Sequence, residues 1–182
     1  MSAFDNDKFR DFYPVSFIMR EAMSDFWFRI HSLPESKRYP ENENDWEILF
    51  ERHKALTDDV LVEGGSCRVH YTLFNDSKFS EDLAPSLNWS NIRPQIYSNY
   101  HSDDETVYTQ TAETVWNFNT FKPWIRRRAD GSLGCISFHS LDTDAIYSPY
   151  DGGADIFSLD SAFLANIKSK FSAWKSPYPC GT

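Results

Sequence analysis

The stretch IYSPYDGGADIF, residues 146–157, places two adjacent glycines between two apolar segments, and this limits what the chain can fold into. Reversing the chain between neighbouring strands commonly requires positive φ, which Gly152 and Gly153 can adopt. The pattern therefore predicts a tight hairpin, with Asp151 hydrogen-bonded to the turn amides and Asp155 exposed to solvent. A hairpin that also presents a binding surface, and a catalytic pair of carboxylates, are alternatives that the stretch leaves open.

Helix and strand patterns alternate along the rest of the chain. A helix is predicted from an N-cap at Asn44 to Gly64, because apolar residues recur every three or four positions. A last amphipathic helix begins at Asp160 or Ser161. Further helical stretches are predicted at 7–23, interrupted at Pro14, and at 121–131, with Pro123 in the first turn. Strands are predicted at 25–33, 67–74, 106–119, 133–141, 144–150 and 154–159.

This order of elements predicts an α+β fold. We expect one compact domain over residues 1–182, with a mostly antiparallel sheet and helices packed on one face. Residues 75–105 have no clear period and end in the acidic run 103–105. We interpret them as a long ordered excursion or loop with an exposed acidic tip, and segments of that length tend to be functional.

The charge of the chain is unevenly distributed. Residues 1–120 carry 11 Lys/Arg against 21 Asp/Glu, a net of −10, whereas residues 121–182 carry 7 against 6, a net of +1. An acidic surface repels phosphates, which disfavours a nucleic-acid partner. The same field attracts a basic protein and accelerates its association. Solubility alone is the simpler explanation of an acidic composition.

The sequence also indicates a compartment. No apolar run approaches the roughly 20 residues that span a bilayer, and the N-terminal segment MSAFDNDKFRDFY has no apolar core of a secretory signal. The three cysteines, Cys67, Cys135 and Cys180, are widely spaced and lack metal or redox motifs. We therefore expect reduced thiols in a soluble cytoplasmic protein that does not bind membranes.

No catalytic motif is present. The chain contains no P-loop, no dinucleotide-binding glycine pattern and no nucleophile elbow, and its five histidines form no metal-binding pair in the sequence. We expect no metal and no cofactor. The enzymatic alternative is a small hydrolase or nucleotide-processing enzyme that uses Asp151, Asp155 and His139, because paired carboxylates can divide acid and base roles.

Three stretches resemble one family of small, acidic, uncharacterised bacterial cytoplasmic proteins. They are RIHSLPESKRY at 29–39, IYSPYDGGAD at 146–155 and the terminal WKSPYPCGT, which is similar to a Trp-x-Ser-x-x-Pro-x-Gly ending. The resemblance implies a compact α+β domain and no established catalytic residues. Proteins similar to these often resemble immunity proteins encoded beside bacterial toxins.

We therefore expect a non-enzymatic protein-binding protein, an immunity protein that neutralises a cognate bacterial toxin by direct binding. Acidic side chains would steer a basic toxin domain, and exposed aromatic side chains would anchor it. A scaffold with some other protein partner is a further possibility. The expected contact residues are Asp103, Asp104, Glu105, Trp89, Tyr97, Tyr100 and Asp151.

Overall fold

One antiparallel sheet organises the part of the chain that the computed structural model describes, residues 14–75, 87–99 and 102–175. Its elements in chain order are α1 (Ser16–Ala22), β1 (Trp27–His31), α2 (Glu43–Val60), β2 (Ser66–Phe74), β3 (Ser90–Asn99), β4 (Ser102–Val115), α3 (Phe118–Ala129), β5 (Cys135–Ser140), β6 (Ala145–Tyr150), β7 (Gly153–Ser158) and α4 (Ser161–Lys170). The strand order is β1-β7-β6-β5-β2-β4-β3, so β1 and β3 are the two edges. The predicted α+β class is confirmed.

Helices α2, α3 and α4 pack on one face of the sheet over an aromatic core. Trp116 stacks on Phe121 with ring centroids 5.3 Å apart, and Phe138 meets their rings edge-on at 4.9 and 5.1 Å. Such pairs stabilise the core beyond the area that they bury. The short α1 packs on the opposite face, where Met19 contacts Phe157.

The hairpin predicted around the two glycines is present, but its glycines act differently from the prediction. The strands β6 and β7 pair up to Tyr150 and Gly153, and neither Gly152 nor Gly153 is among the described residues with positive φ. A Cβ at position 153 would lie 1.9 Å from the carbonyl oxygen of Ile30. Gly153 is required because β1 approaches it closely, a contact that the local pattern could not reveal.

Two helices begin earlier than predicted. The N-cap of α2 is Asn42 and not Asn44, because the Asn42 side chain accepts a hydrogen bond from the amide of Asp45 at 3.0 Å. The helix α3 begins after Asn117, which caps the amide of Thr120. Pro123 therefore lies inside α3 instead of in its first turn. Each segment offers more than one cap-forming residue, so the sequence did not fix the starting point.

Residues 90–105, expected to belong to an excursion or loop, contain β3 and the beginning of β4. Their strand pattern is hidden because β3 contains Pro94 and shifts register between Ile92 and Gln95. Proline and register shifts are tolerated at sheet edges, where one side of the backbone makes no ladder bonds.

The histidine His53 of α2 is a buried structural residue. Its Nε2 lies 2.7 Å from the Ser32 hydroxyl and its Nδ1 lies 2.5 Å from the Tyr147 hydroxyl. Burial, with a smaller contribution from Arg52, lowers the pKa of His53 to about 3. His53 is therefore neutral at physiological pH and ties α2 to β6 and to the end of β1.

None of the helices in the described residues combines the length and the apolar character needed to cross a membrane.

Candidate functional site

The strands β3 and β4 continue beyond the rest of the sheet as a two-stranded ribbon. The strand β4 pairs with β2 only from Val107 to Val115, but it pairs with β3 as far as Ser102. We call residues 96–99 and 102–106 the β3–β4 arm. The outer strand β3 ends the sheet and turns one row of backbone groups away from β4.

The arm combines an apolar side chain with acidic ones. Ile96 is 66% exposed. Asp104 is exposed and accepts a hydrogen bond from Ser98 at 2.5 Å, while Glu105 accepts one from Asn75 at 3.4 Å. The ring of Tyr97 packs edge-on against Phe17 of α1 at 5.8 Å, which anchors the arm to the body of the protein.

The other predicted contact residues lie in different environments. Trp89 is half-buried and stacks on Trp124 of α3 with centroids 6.1 Å apart, so part of its ring belongs to the core. Asp103 lies in β4. The side chain of Asp103 and the whole of Tyr100 are outside the described residues. Asp151 lies in the β6–β7 turn, far along the sheet order from the arm.

Asp151 forms an ion pair on the surface. Its Oδ2 accepts hydrogen bonds from Arg38 Nε at 2.9 Å and from the Tyr39 hydroxyl at 3.0 Å. The partners come from the segment that follows β1, so this contact joins two of the three stretches that carry the family resemblance. An exposed pair of this kind contributes little to stability, roughly 0–1 kcal/mol.

Asp155 is fully buried, and the expectation that it is solvent exposed is wrong. Its two carboxylate oxygens each accept a hydrogen bond of 2.7 Å from Arg29, and Trp27 Nε1 donates another at 2.8 Å. Arg29 and Asp155 lie directly opposite each other on β1 and β7, and the guanidinium covers the Tyr150 ring at 4.2 Å. Burial lowers the pKa of Arg29, but the hydrogen bond and charge of Asp155 outweigh it and raise the pKa overall.

The third residue of the enzymatic alternative, His139, lies on β5. Its Nε2 is 3.0 Å from a carboxylate oxygen of Asp144, in the β5–β6 connection. Each member of the set Asp151, Asp155 and His139 is thus held by a different partner. In the described residues, no group of three or more His, Cys, Asp or Glu side chains is arranged to hold a metal ion.

Two exposed apolar residues of β3 were not predicted from the sequence. Ile92 and Ile96 are 37% and 66% exposed on β3, where aromatic residues had been expected to form the anchors. An isoleucine in a strand is usually buried, so composition gives no signal that these two face solvent. Only the position of β3 at the sheet edge reveals it.

Comparison with known proteins identifies a family. The family model described as a domain of unknown function, DUF3885, matches residues 15–179. Neither a curated protein nor a solved structure matches the chain.

Proposed function

We propose that this chain, which belongs to the DUF3885 family of domains of unknown function, is a non-enzymatic immunity protein that neutralises a cognate bacterial toxin by direct binding. The observation that carries the proposal is the β3–β4 arm. It extends past β2 and exposes Ile96 close to Asp104 and Glu105.

The charge on the arm suits a basic partner. Asp104 and Glu105 are acidic residues of the arm, and the arm belongs to the acidic part of the chain, residues 1–120. Complementary charge accelerates the encounter with the partner and helps to select it. An exposed apolar side chain provides contact area from which water is displaced on binding. A basic toxin domain therefore fits the arm better than nucleic acid or an anionic membrane does.

The edge strand offers a second means of binding. The position of β3 at the edge of the described sheet suits it to pair with a strand of another protein, and such pairing gives affinity through main-chain hydrogen bonds. Pro94 and the register shift beside it restrict this pairing to parts of the strand. We propose that the toxin contacts the edge of β3 together with the side chains of the arm.

The thiols support a reducing compartment. Cys67 and Cys135 are both unpaired in the described residues. Burial, with a smaller effect of Asp142, raises the pKa of Cys67 to about 12, so this thiol is unreactive. Unpaired structural thiols are typical of cytoplasmic proteins, and we propose that the chain acts in the cytoplasm.

The enzymatic alternative receives less support from the geometry. A catalytic carboxylate must reach a substrate, but Arg29 engages both oxygens of Asp155 and the residue has no exposed surface. Asp151 and His139 are paired with Arg38 and Asp144. No observation on these residues favours hydrolysis over a structural role.

Coexpression tests the proposal. Each gene beside this one is expressed alone and together with it, and growth is measured. We expect a neighbouring gene whose product is toxic alone and is neutralised when this chain is present. The proposal fails if no neighbouring product is toxic, or if a toxic product is not neutralised.

A pair of variants tests the surface. Ile96→Lys places a positive charge on the arm and is expected to abolish neutralisation. Val115→Lys is the matched control, because Val115 is 60% exposed on β4, at the end of that strand opposite the arm. Neutralisation that survives Ile96→Lys in a soluble, folded variant would show that the arm is not the contact surface.

A further inference from the structure

A small cleft opens at the other edge of the sheet, between the end of β1 and the turn that follows α4. Its volume is about 230 Å³, and its walls include His31, Pro34, Ser36, Arg52, Trp174 and Lys175. A backbone bridge between Ile30 and Lys175 holds the two sides together. The walls therefore come from segments that are fixed to the sheet.

Arg52 of α2 is the central charged group of the cleft. It donates a hydrogen bond from Nη1 to the carbonyl oxygen of His31 at 3.0 Å, and its guanidinium lies 5.2 Å from the centre of the Trp174 ring. Arg29 of β1, which is also buried, has the carboxylate of Asp155 as its partner, whereas Arg52 forms no ion pair in the described part of the chain. Burial alone lowers the pKa of Arg52.

A half-buried guanidinium without a counter-ion is unfavourable, because it loses hydration without gaining a charge partner. One of its five N–H donors is used by the His31 carbonyl. The others can reach a ligand that enters the cleft. This arrangement is characteristic of arginines that receive an anionic group.

The remaining charged groups of the cleft are few. Lys175 adds a second cation and Glu35 an exposed carboxylate that forms no ion pair with Arg52. Burial, and then the charges of Arg29 and Arg52, lower the pKa of His31, so its ring is neutral at physiological pH. The net charge of the cleft is therefore positive within a chain whose net charge is −9.

The loop that forms one wall has a strained backbone. Glu35 and Ser36 have φ of 56° and 59°, in the left-handed region that non-glycine residues rarely adopt. Backbone strain of this kind is concentrated at ligand-binding segments. The hydrogen bond from the Lys37 amide to the Pro34 carbonyl, 3.1 Å long, closes this turn.

We propose that the cleft binds a small molecule through an oxyanion, a carboxylate or a phosphate group, which the guanidinium of Arg52 receives, while the rest of the ligand packs against Trp174. The planar fork of arginine matches both oxyanions in geometry. The volume of about 230 Å³ is below the roughly 300–1,000 Å³ of drug-sized sites, so the ligand has few heavy atoms.

Nuclear magnetic resonance of the full chain tests the proposal. The indole N–H resonance of Trp174 is assigned by its loss in Trp174→Phe. Acetate and inorganic phosphate are then titrated separately, with sodium chloride adjusted to keep the ionic strength constant. We expect the Trp174 resonance to shift and saturate with at least one of the two anions, and the responding anion identifies the chemical group.

The matched control is a second arginine that covers a tryptophan. The guanidinium of Arg126 lies 4.3 Å from the centre of the Trp46 ring, outside the cleft. Arg52→Gln is expected to weaken anion binding at least about tenfold, whereas Arg126→Gln leaves it unchanged. A Trp174 resonance that neither anion moves, or equal affinity in Arg52→Gln and the wild type, would overturn the proposal.

A conservative variant covers the case in which Arg52→Gln does not fold. Arg52→Lys keeps the positive charge and removes the planar fork, so it is expected to bind the anion several-fold more weakly than the wild type does. Unchanged affinity in a folded Arg52→Lys variant would contradict recognition by the guanidinium of Arg52.

Discussion

The two edges of the sheet differ in how far they are covered. The edge strand β1 has five residues, its three central residues are buried, and a backbone bridge from Ile30 to Lys175 covers its outer side. The opposite edge strand, β3, has ten residues and exposes Ile92 and Ile96. We call the β1 edge the sealed edge, and the β3 edge, beyond which the described residues place no further strand, the open edge.

Soluble proteins usually cover or interrupt long edge strands, because an open row of backbone groups invites pairing with other chains. In β3, Pro94 and the register shifts in the strand provide part of such protection. We therefore expect stability to be concentrated at the β1 edge, where the stretches that carry the family resemblance meet, and we propose that the β3 edge receives the partner.

The largest effect is expected from the buried acid at the sealed edge. Asp155→Asn keeps the size of the side chain but removes the buried carboxylate charge that accepts two hydrogen bonds from Arg29, so the free energy of unfolding should fall by roughly 3–5 kcal/mol. Urea denaturation measures the change. Asp104→Asn in the open arm is the control and should change the free energy by less than about 0.5 kcal/mol. Similar losses in both variants would abolish the distinction between the edges.

The next largest loss of stability is expected at Gly153, which lies against β1. A methyl group in Gly153→Ala would meet the Ile30 carbonyl, so the variant should lose roughly 3 kcal/mol of unfolding free energy. Gly152→Ala should lose less unfolding free energy. The atoms 3.1 and 3.4 Å from its Cβ belong to the side chains of Tyr150 and Arg38, which can move. Thermal or urea unfolding compares the two. Equal stability of the two variants would show that β1 does not constrain position 153.

A pH dependence is expected from the histidine that connects α2 to the end of β1. The pKa of His53 is about 3 in the folded chain, against about 6.5 when unfolded. Between these values the unfolded chain binds a proton that the folded chain does not, so stability falls as the pH falls. The contribution is at most about 1.4 kcal/mol per pH unit.

Unfolding measured from pH 7 to pH 4 checks this dependence on His53. The variant His53→Gln should lose stability less steeply with falling pH than the wild type does. His70, whose pKa burial also lowers to about 3, remains and keeps part of the slope. Identical slopes in the two proteins would mean that His53 titrates normally and that this end of β1 is open to water.

The smallest effect is expected at the open edge itself. Ile96→Val removes one methylene group that is already exposed to solvent and should change the free energy of unfolding by less than about 0.5 kcal/mol. The same change at the fully buried Ile30 of β1 should cost about 0.5–1.5 kcal/mol. Urea denaturation of both variants compares the edges by identical chemistry. A larger loss at Ile96 than at Ile30 would reverse the comparison.

Local features of the sequence predicted much of the fold. The β6–β7 hairpin, β2 and the capped helix α4 follow from alternation, turn residues and the N-cap at Asp160, all of which act within a few positions. The partner of Asp155 could not be predicted from such local features, because Arg29 lies 126 residues away in the chain. Only the register of β1 on β7 reveals that the carboxylate is buried.

The candidate contact surface was predicted in part. The acidic run that includes Asp104 and Glu105 is visible in the sequence, and it does lie on the arm. The exposure of Ile96 and the stacking of Trp89 on Trp124 depend on which strand is at the edge and where α3 lies. Neither can be read from composition, because both residue types are usually buried.

Amide hydrogen exchange tests the central claim, that the open edge receives a protein partner. Exchange is measured for the chain alone and in complex with the neighbouring gene product that it neutralises. We expect slower exchange in residues 90–99 and 102–106 on binding, and no change in residues 27–31 of β1. Protection confined to β1 and the cleft beside it, with β3 and the arm unaltered, would show that the partner binds elsewhere than at the β3 edge.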